Sequence, residues 1–301
     1  MASTQQTTAS EPFVVLSYGP SGVGKTTDMG YSFPCALFVA APGALNSIES
    51  VCGYSPDRIA VDTLDDATKL VGEVGKSGKY STMVIDDFSF LAEQTFASLE
   101  GKYTGFKLWG KLRDQVLAFR NQSRYAGVNV VMNAWEKGPK NNPDGTRTRG
   151  GPQLSGKLPE QISAMCDMVV RAVHEGQRQP WPTVYRCGND PNWVMKDRFN
   201  VASVVDPAPM NLAELLRASG KVIPRHPAAA NQEEQVEAVS QELMTNMNPA
   251  TINAIYGALL QNSSIELARW TMRDAVDRAV IRSARQAASL MFVSETNPLL
   301  G

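Results

Sequence analysis

Short apolar runs alternate with amphipathic stretches through the first two-thirds of the chain. FVVLSY (13–18), ALFVA (36–40), RIAVD (58–62), TMVID (82–86) and VNVVMN (128–133) are rich in β-branched residues. Runs of this length and make-up predict strands, most of them buried on both faces. TTDMGYSF after the first run, the segment from Asp65 to about Lys76, and the stretches 88–101 and 107–124 carry helical spacing instead. Strands that alternate with helices predict an α/β fold, a mostly parallel sheet wrapped by helices. Strand-like runs return at MVVRAV (168–173), TVYRC (183–187) and WVMKD (193–197).

Two regions break this rhythm. EKGPKNNPDGTRTRGGPQLSGK (136–157) has no apolar period and is rich in Gly, Pro, Asn and charge, so it predicts a long mobile loop. Beyond PRHPAAANQEE (224–234) the pattern is helical only. Asn231 stands three residues before Glu234 and predicts a helix start, for a helix running to about Asn246. Asn248-Pro249 sets an N-cap before a proline at the first helical position, and Ser263 with Glu266 reads as a capping box for the last helix. In that helix Ala268, Met272, Val276, Val280 and Ala284 form an apolar stripe. Arg269, Arg273, Asp277, Arg278 and Arg282 lie off the stripe and are expected to face solvent.

Composition narrows the function classes. The 301 residues are 43% hydrophobic and 20% charged, an ordinary soluble make-up. A net charge of −1 gives no global basic field, so any nucleic-acid contact must come from a local patch. Cys35, Cys52, Cys166 and Cys187 have neither disulfide-framework nor zinc-site spacing and read as free thiols of a reducing cytosol. With only His174 and His226, a histidine-rich metal site is not expected. MASTQQTTAS (1–10) reads as a disordered polar tail rather than a leader. No run approaches the roughly 18 apolar residues of a membrane span, so no membrane partner is expected.

The chemistry concentrates after the first strand. Gly19-Pro20-Ser21-Gly22-Val23-Gly24-Lys25-Thr26, followed by Thr27, matches the phosphate-loop pattern GxxxxGK[ST] between a strand and a helix. Glycines let backbone N–H groups turn onto phosphates, and the helix N-terminus adds partial positive charge. Lys25 can then reach the β- and γ-phosphates, and the Thr26 hydroxyl can ligate Mg²⁺. The metal needs an acidic partner at a nearby strand end, which Asp86 of MVIDD supplies. Asp87 is either a further carboxylate or the cap of the helix that follows. Hydrolysis also needs a group to orient water, and Asp87, Asn133 and Glu136 are the candidates. LFVAAPGAL offers only Ala40 and Ala41 where a carboxylate could face the γ-phosphate.

GPSGVGKTT, MVIDD with FSFL, PQLSGKLPEQISAMCDMVVR and WVMKDRF together resemble the short RecA-like ATPases of bacteriophages, AAA-type nucleotide-binding or single-strand annealing proteins. The likeness covers roughly residues 12 to 205. It implies a RecA-type core, placed over residues 11–225; the helical extension over 226–301 lies outside the likeness and rests on the helical pattern alone. It also implies ATP with Mg²⁺, self-association into rings or filaments, and single-stranded DNA as partner. Phage recombination or replication partners in a bacterial host cytoplasm belong to the same implication. Lys25 and Thr26 map onto the phosphate loop and Asp86 onto the metal ligand. Lys196 and Arg198 of KDRF resemble paired cations offered to a neighbour's ATP, or else form an ordinary solvated pair. RecA-like proteins place a DNA-contacting loop where 136–157 falls. Lys137, Lys140, Arg147, Arg149 and Lys157 suit phosphate contact there, or else a plain basic surface. The family's glutamate at the second strand is replaced by alanine, which puts efficient turnover in question. A nucleotide-dependent assembly protein and a small-molecule kinase stand as alternatives.

Overall fold

The computed structural model describes residues 11–176, 183–225 and 232–296. The chain runs β1 (Val14–Gly19), α1 (Lys25–Ser32), β2 (Leu37–Ala40), α2 (Asn46–Cys52), β3 (Arg58–Ile59), α3 (Leu64–Ser77), β4 (Thr82–Asp86), α4 (Phe88–Glu100) and α5 (Gly105–Tyr125). Then come β5 (Asn129–Lys137), β6 (Lys140–Asn141), β7 (Arg147–Thr148), β8 (Gly151–Pro152), α6 (Leu158–Met165), β9 (Met168–His174), β10 (Thr183–Arg186) and β11 (Lys196–Asp197). It finishes with α7 (Ala202–Val205), β12 (Ala208–Pro209), α8 (Leu212–Ala218), α9 (Glu233–Thr245), α10 (Pro249–Asn262) and α11 (Ile265–Thr296).

The main sheet has the order β12-β10-β9-β1-β5-β4-β2-β3. Strands β9 through β3 in that path are parallel, and β10, β11 and β12 add antiparallel pairings at one side. This is the α/β architecture expected, a RecA-like core with C-terminal helices. Strand alternation sorts the core into two layers. Leu16, Met83, Met132 and Val169 face α3, α4, α5 and α6. Val15, Val84, Val131 and Val170 face α1, α2, α8 and α11.

Three expectations need correction. Residues 136–157 are not a structureless loop: β5 continues to Lys137, β6 and β7 form a hairpin, and β8 pairs back on β5. The turn is Asn142-Pro143-Asp144-Gly145, with Gly145 at φ 80° and the Asp144 carboxylate accepting from the Thr146 N–H at 2.9 Å. Proline, then aspartate, then a left-handed glycine is what such a turn asks for. The cap of the last helix is Ser264, whose Oγ accepts from the Leu267 N–H at 3.2 Å, whereas Ser263 ends α10. The start expected at Asn231 lies outside the described residues, as does the 1–10 tail. Asn248 caps α10 as expected, accepting from the Thr251 N–H at 2.9 Å.

The third correction concerns α11. Of the charges expected in solvent, Arg269 is exposed, yet Arg278 is buried, Asp277 is half-buried against Asn211 and Arg273 reaches across to Asp28 on α1. The cause is geometric. A four-residue spacing drifts by about 40° per step around a 3.6-residue helix. Ala268, Met272 and Val276 accordingly pack against α9 and α10, while Val280 and Ala284 pack against the sheet layer with Trp270 and Ile281. A helix wedged between two layers has little solvated face, so its charges meet buried partners. The four cysteines are free, and all but the half-buried Cys35 are buried.

Candidate active site

The parallel strands end together at one edge of the sheet, and the phosphate loop closes over that edge. Gly19 ends β1 so close to β9 that a Cβ there would lie 2.3 Å from the Ala172 carbonyl oxygen. Gly22 and Gly24 hold φ of 79° and 94°, a left-handed conformation that glycine adopts without strain. Pro20 and Ser21 are exposed at the rim, and Val23 anchors the loop by burying its side chain in the core. Gly24 is the N-cap of α1, so Lys25, Thr26 and Thr27 form the first helical turn. Their free N–H groups point out of the helix end.

Strand order brings the other parts in. β5 lies between β1 and β4, and Asn133 pairs in register with Ser17 one strand away from Asp86. The Thr26 hydroxyl donates to Asp86 Oδ2 at 2.6 Å. Lys25 Nζ donates to the carbonyls of Gly19 and Pro20 at 2.8 and 2.9 Å. Asn133 is fully buried beside Asp86 and close enough to favour its carboxylate, though neither amide atom reaches full hydrogen-bond geometry. A cavity of about 300 Å³ joins Gly22, Lys25, Thr26, Asp86, Asp87 and Trp135. Asp87 caps α4, its Oδ1 accepting from the Phe90 N–H at 3.0 Å. Both expected roles of that residue, cap and second carboxylate at the pocket, are therefore compatible in space.

Burial sets the electrostatics. It pushes the Lys25 ammonium below its ordinary value, against the pull of Asp87 and Asp86. It raises Asp86, opposed by Thr26, Asn133 and Lys25, and lifts Asp87 to about 6. Two carboxyls and one lysine around one pocket, with a hydroxyl on one carboxylate, form a donor set that would suit a divalent cation beside a phosphate.

Other candidates fall elsewhere. Ala40 pairs with Asp86 at the end of β2, so no carboxylate stands at that strand end. Glu136 is held by Arg171 in a two-pronged ion pair at 2.6 and 3.1 Å, and the Arg171 guanidinium lies 3.4 Å from the Trp193 ring centre. Its carboxylate is thus engaged rather than free for water. Lys196 donates to the Ser163 and Cys166 carbonyls at 2.6 and 2.9 Å, closing the C-terminal end of α6. Arg198 bonds Asp167 at 2.9 Å, a carboxylate it shares with Arg124. Both lie level with the start of β1, at the sheet edge opposite this chain's phosphate loop. Lys137, Lys140, Arg147, Arg149 and Lys157 are all exposed on the hairpin and the segment after it. Sequence reasoning passes over Asp28, a buried acid in the first turn of α1. Its position there is a visible signal, but its partner Arg273 is 245 residues away.

Together the fold and the pocket define a P-loop nucleotide-binding protein with a RecA-like core. Residues 11–199 match the family described as AAA domain, and the chain belongs to that family. No curated protein matches the sequence. Among solved structures, a KaiC-like protein from the hyperthermophilic archaeon Pyrococcus horikoshii is similar at 15% identity and a TM-score of 0.39. The similarity covers 59% of this chain and 79% of that one. Among the described residues, no helix is long and apolar enough to cross a membrane.

Proposed function

We propose that this chain binds ATP with Mg²⁺, turns it over slowly, and contacts single-stranded DNA through the β6–β7 hairpin. The observation that carries the nucleotide part is the 2.6 Å contact of Thr26 with Asp86 beside Lys25. These two oxygens would hold Mg²⁺, which when bound offsets negative charge on the phosphates. The loop N–H groups and Lys25 hold and orient the phosphates. The second oxygen of Asp87 orients water, and the unsatisfied Asn133 amide offers a donor toward the terminal phosphate. The DNA part is supported by the five exposed cations and by continuity: β5 carries Asn133 and runs on into the hairpin.

Phosphate release measured with and without oligo(dT) tests this reading. A slow rate that DNA raises and Lys25→Ala removes is expected. The absence of any affinity for single-stranded DNA, across nucleotides and at low salt, refutes the DNA role.

A second reading, ATP-driven assembly without turnover, is favoured by Ala40 at the end of β2. Nucleotide-dependent growth in sedimentation with phosphate release at background would select it. Self-association belongs to both readings. Arg198, with 54% of its side chain exposed, is the KDRF cation better able to reach a neighbour.

A further inference from the structure

A groove that the nucleotide pocket does not use opens beside the base of the hairpin. It lies between the first turns of α5 and the segment leading into α6, and encloses about 340 Å³. α5 buries Leu108, Leu112 and Val116 on the core. Beside that stripe its first turns carry Phe106, 95% exposed, and Trp109, 41% exposed. Single exposed apolar residues need no explanation, but two aromatics on one groove do.

Details of the groove favour a flat ligand. Trp109 packs against Phe96 with ring centres 4.6 Å apart, which fixes the indole. Gly156, at φ 64°, lies against that ring, and a Cβ there would come within 2.6 Å of it. Glycine thus lets the backbone lie directly on the indole, and Phe106 is the ring left open to a ligand. Arg113 and Lys157 line the groove, no Asp or Glu does so among the described residues, and Gln161 adds an amide able to donate and accept. Lys107 and Lys111 are exposed nearby on α5. The groove is also tied to the hairpin: Pro152 pairs with Glu136 in the hairpin stem, and Lys157 follows five residues later. Five residues span at most about 18 Å, the reach of a few nucleotides.

We propose that this groove stacks an unpaired nucleobase of a strand whose phosphates run along the hairpin. The inference rests on the reading that the chain binds single-stranded DNA, and it adds a base-contacting site to the phosphate contacts. Every base has a π face, so such a platform tolerates sequence while distinguishing a strand with bases from a bare backbone. The lining cations Arg113 and Lys157 suit that polyanion, and the exposed Asp114 and Glu160 stand off the groove itself.

The test uses fluorescence anisotropy at low salt with two labelled strands of equal length, oligo(dT) and a fully abasic strand. Wild-type protein is expected to bind oligo(dT) roughly ten-fold tighter than the abasic strand, the scale of one stacked base. Phe106→Ala/Trp109→Leu should bring oligo(dT) down to the abasic level and leave the abasic strand unchanged. Lys140→Ala/Arg147→Ala should weaken both strands alike. Phe106→Ala alone keeps the test valid if the double variant fails to fold. Equal binding of both strands by wild type, or parallel loss of both in the aromatic variant, overturns the groove and leaves the hairpin reading standing. No binding of either strand overturns both. An altered sedimentation coefficient in the aromatic variant, with oligo(dT) preference intact, assigns the face to a second copy and also overturns the proposal.

Discussion

Asp28 sits three residues after Lys25 and is sealed from water by three donors: Ser32 at 3.0 Å, Tyr185 at 2.5 Å, and the Arg273 guanidinium. Burial raises its pKa, and Arg273 is the main opposing influence. Removing one member of a buried pair strands the other, which costs about 3–5 kcal/mol. Arg273→Ala is therefore expected to lower urea stability by that order, and Asp28→Asn/Arg273→Met to recover most of the loss. A double variant no more stable than the single one would contradict a buried-charge origin. Asp277, bonded to Asn211 at 2.9 Å, behaves differently, since burial pushes it up to about 7. A carboxyl raised on folding binds more protons in the native state, so its contribution falls as pH rises from about 4 through 7. The melting temperature of Asp277→Asn relative to wild type should climb between pH 5 and pH 8; a flat or falling difference goes against this assignment.

At the scale of elements, the hairpin separates folding from function. Residues 140–148 are exposed apart from the half-buried Asn142 and supply nothing to the core clusters. Replacing them with two glycines is expected to leave melting and ATP binding unchanged while weakening single-stranded DNA. Removing Lys140 and Arg147 should flatten the log–log salt slope by about 1.4, at about 0.7 per phosphate on a single strand. An unchanged slope would detach the hairpin from the DNA.

The phosphate loop, Asp86 and the alternation of strands and helices were legible because each rests on local spacing: apolar run, glycines, apolar run, aspartate. The hairpin was legible too, in NPDG, but the high Gly and Pro content of 136–157 masked a turn signature as a structureless loop. The face of α11 was not. Periodicity reports which positions are apolar, and charge alone cannot say whether a buried partner waits in another element. Glu214, which binds Arg217, Arg225 and Arg278, comes from α8, more than forty residues before α11 begins. The aromatic groove escaped for a related reason, because Phe106 and Trp109 meet Gly156 and Lys157 only once α5 and α6 are packed.

For the whole molecule, the helical extension is part of the fold rather than an attachment. Trp270 and Ile281 complete the core layer over α1 and α8, and Arg273 and Arg278 neutralise buried acids there. Ending the chain before Ile265 is expected to abolish cooperative melting. A truncated chain that still melts sharply would make the extension separable. If the assembled form uses Arg198 on a neighbour's nucleotide, mixing Arg198→Ala with Lys25→Ala should restore turnover that neither shows alone. No restoration removes the support for a shared site.

The account stands first on ATP held with Mg²⁺ by the loop, Thr26 and Asp86, and calorimetric titration of ATP into the full chain reads that directly. One nucleotide per chain is predicted with Mg²⁺, with affinity at least about ten-fold weaker in EDTA or in Asp86→Asn, and binding lost in Lys25→Ala, as expected for charge-assisted phosphate and metal contacts. Binding that is absent in wild type, or indifferent to Mg²⁺, Asp86 and Lys25, would contradict it.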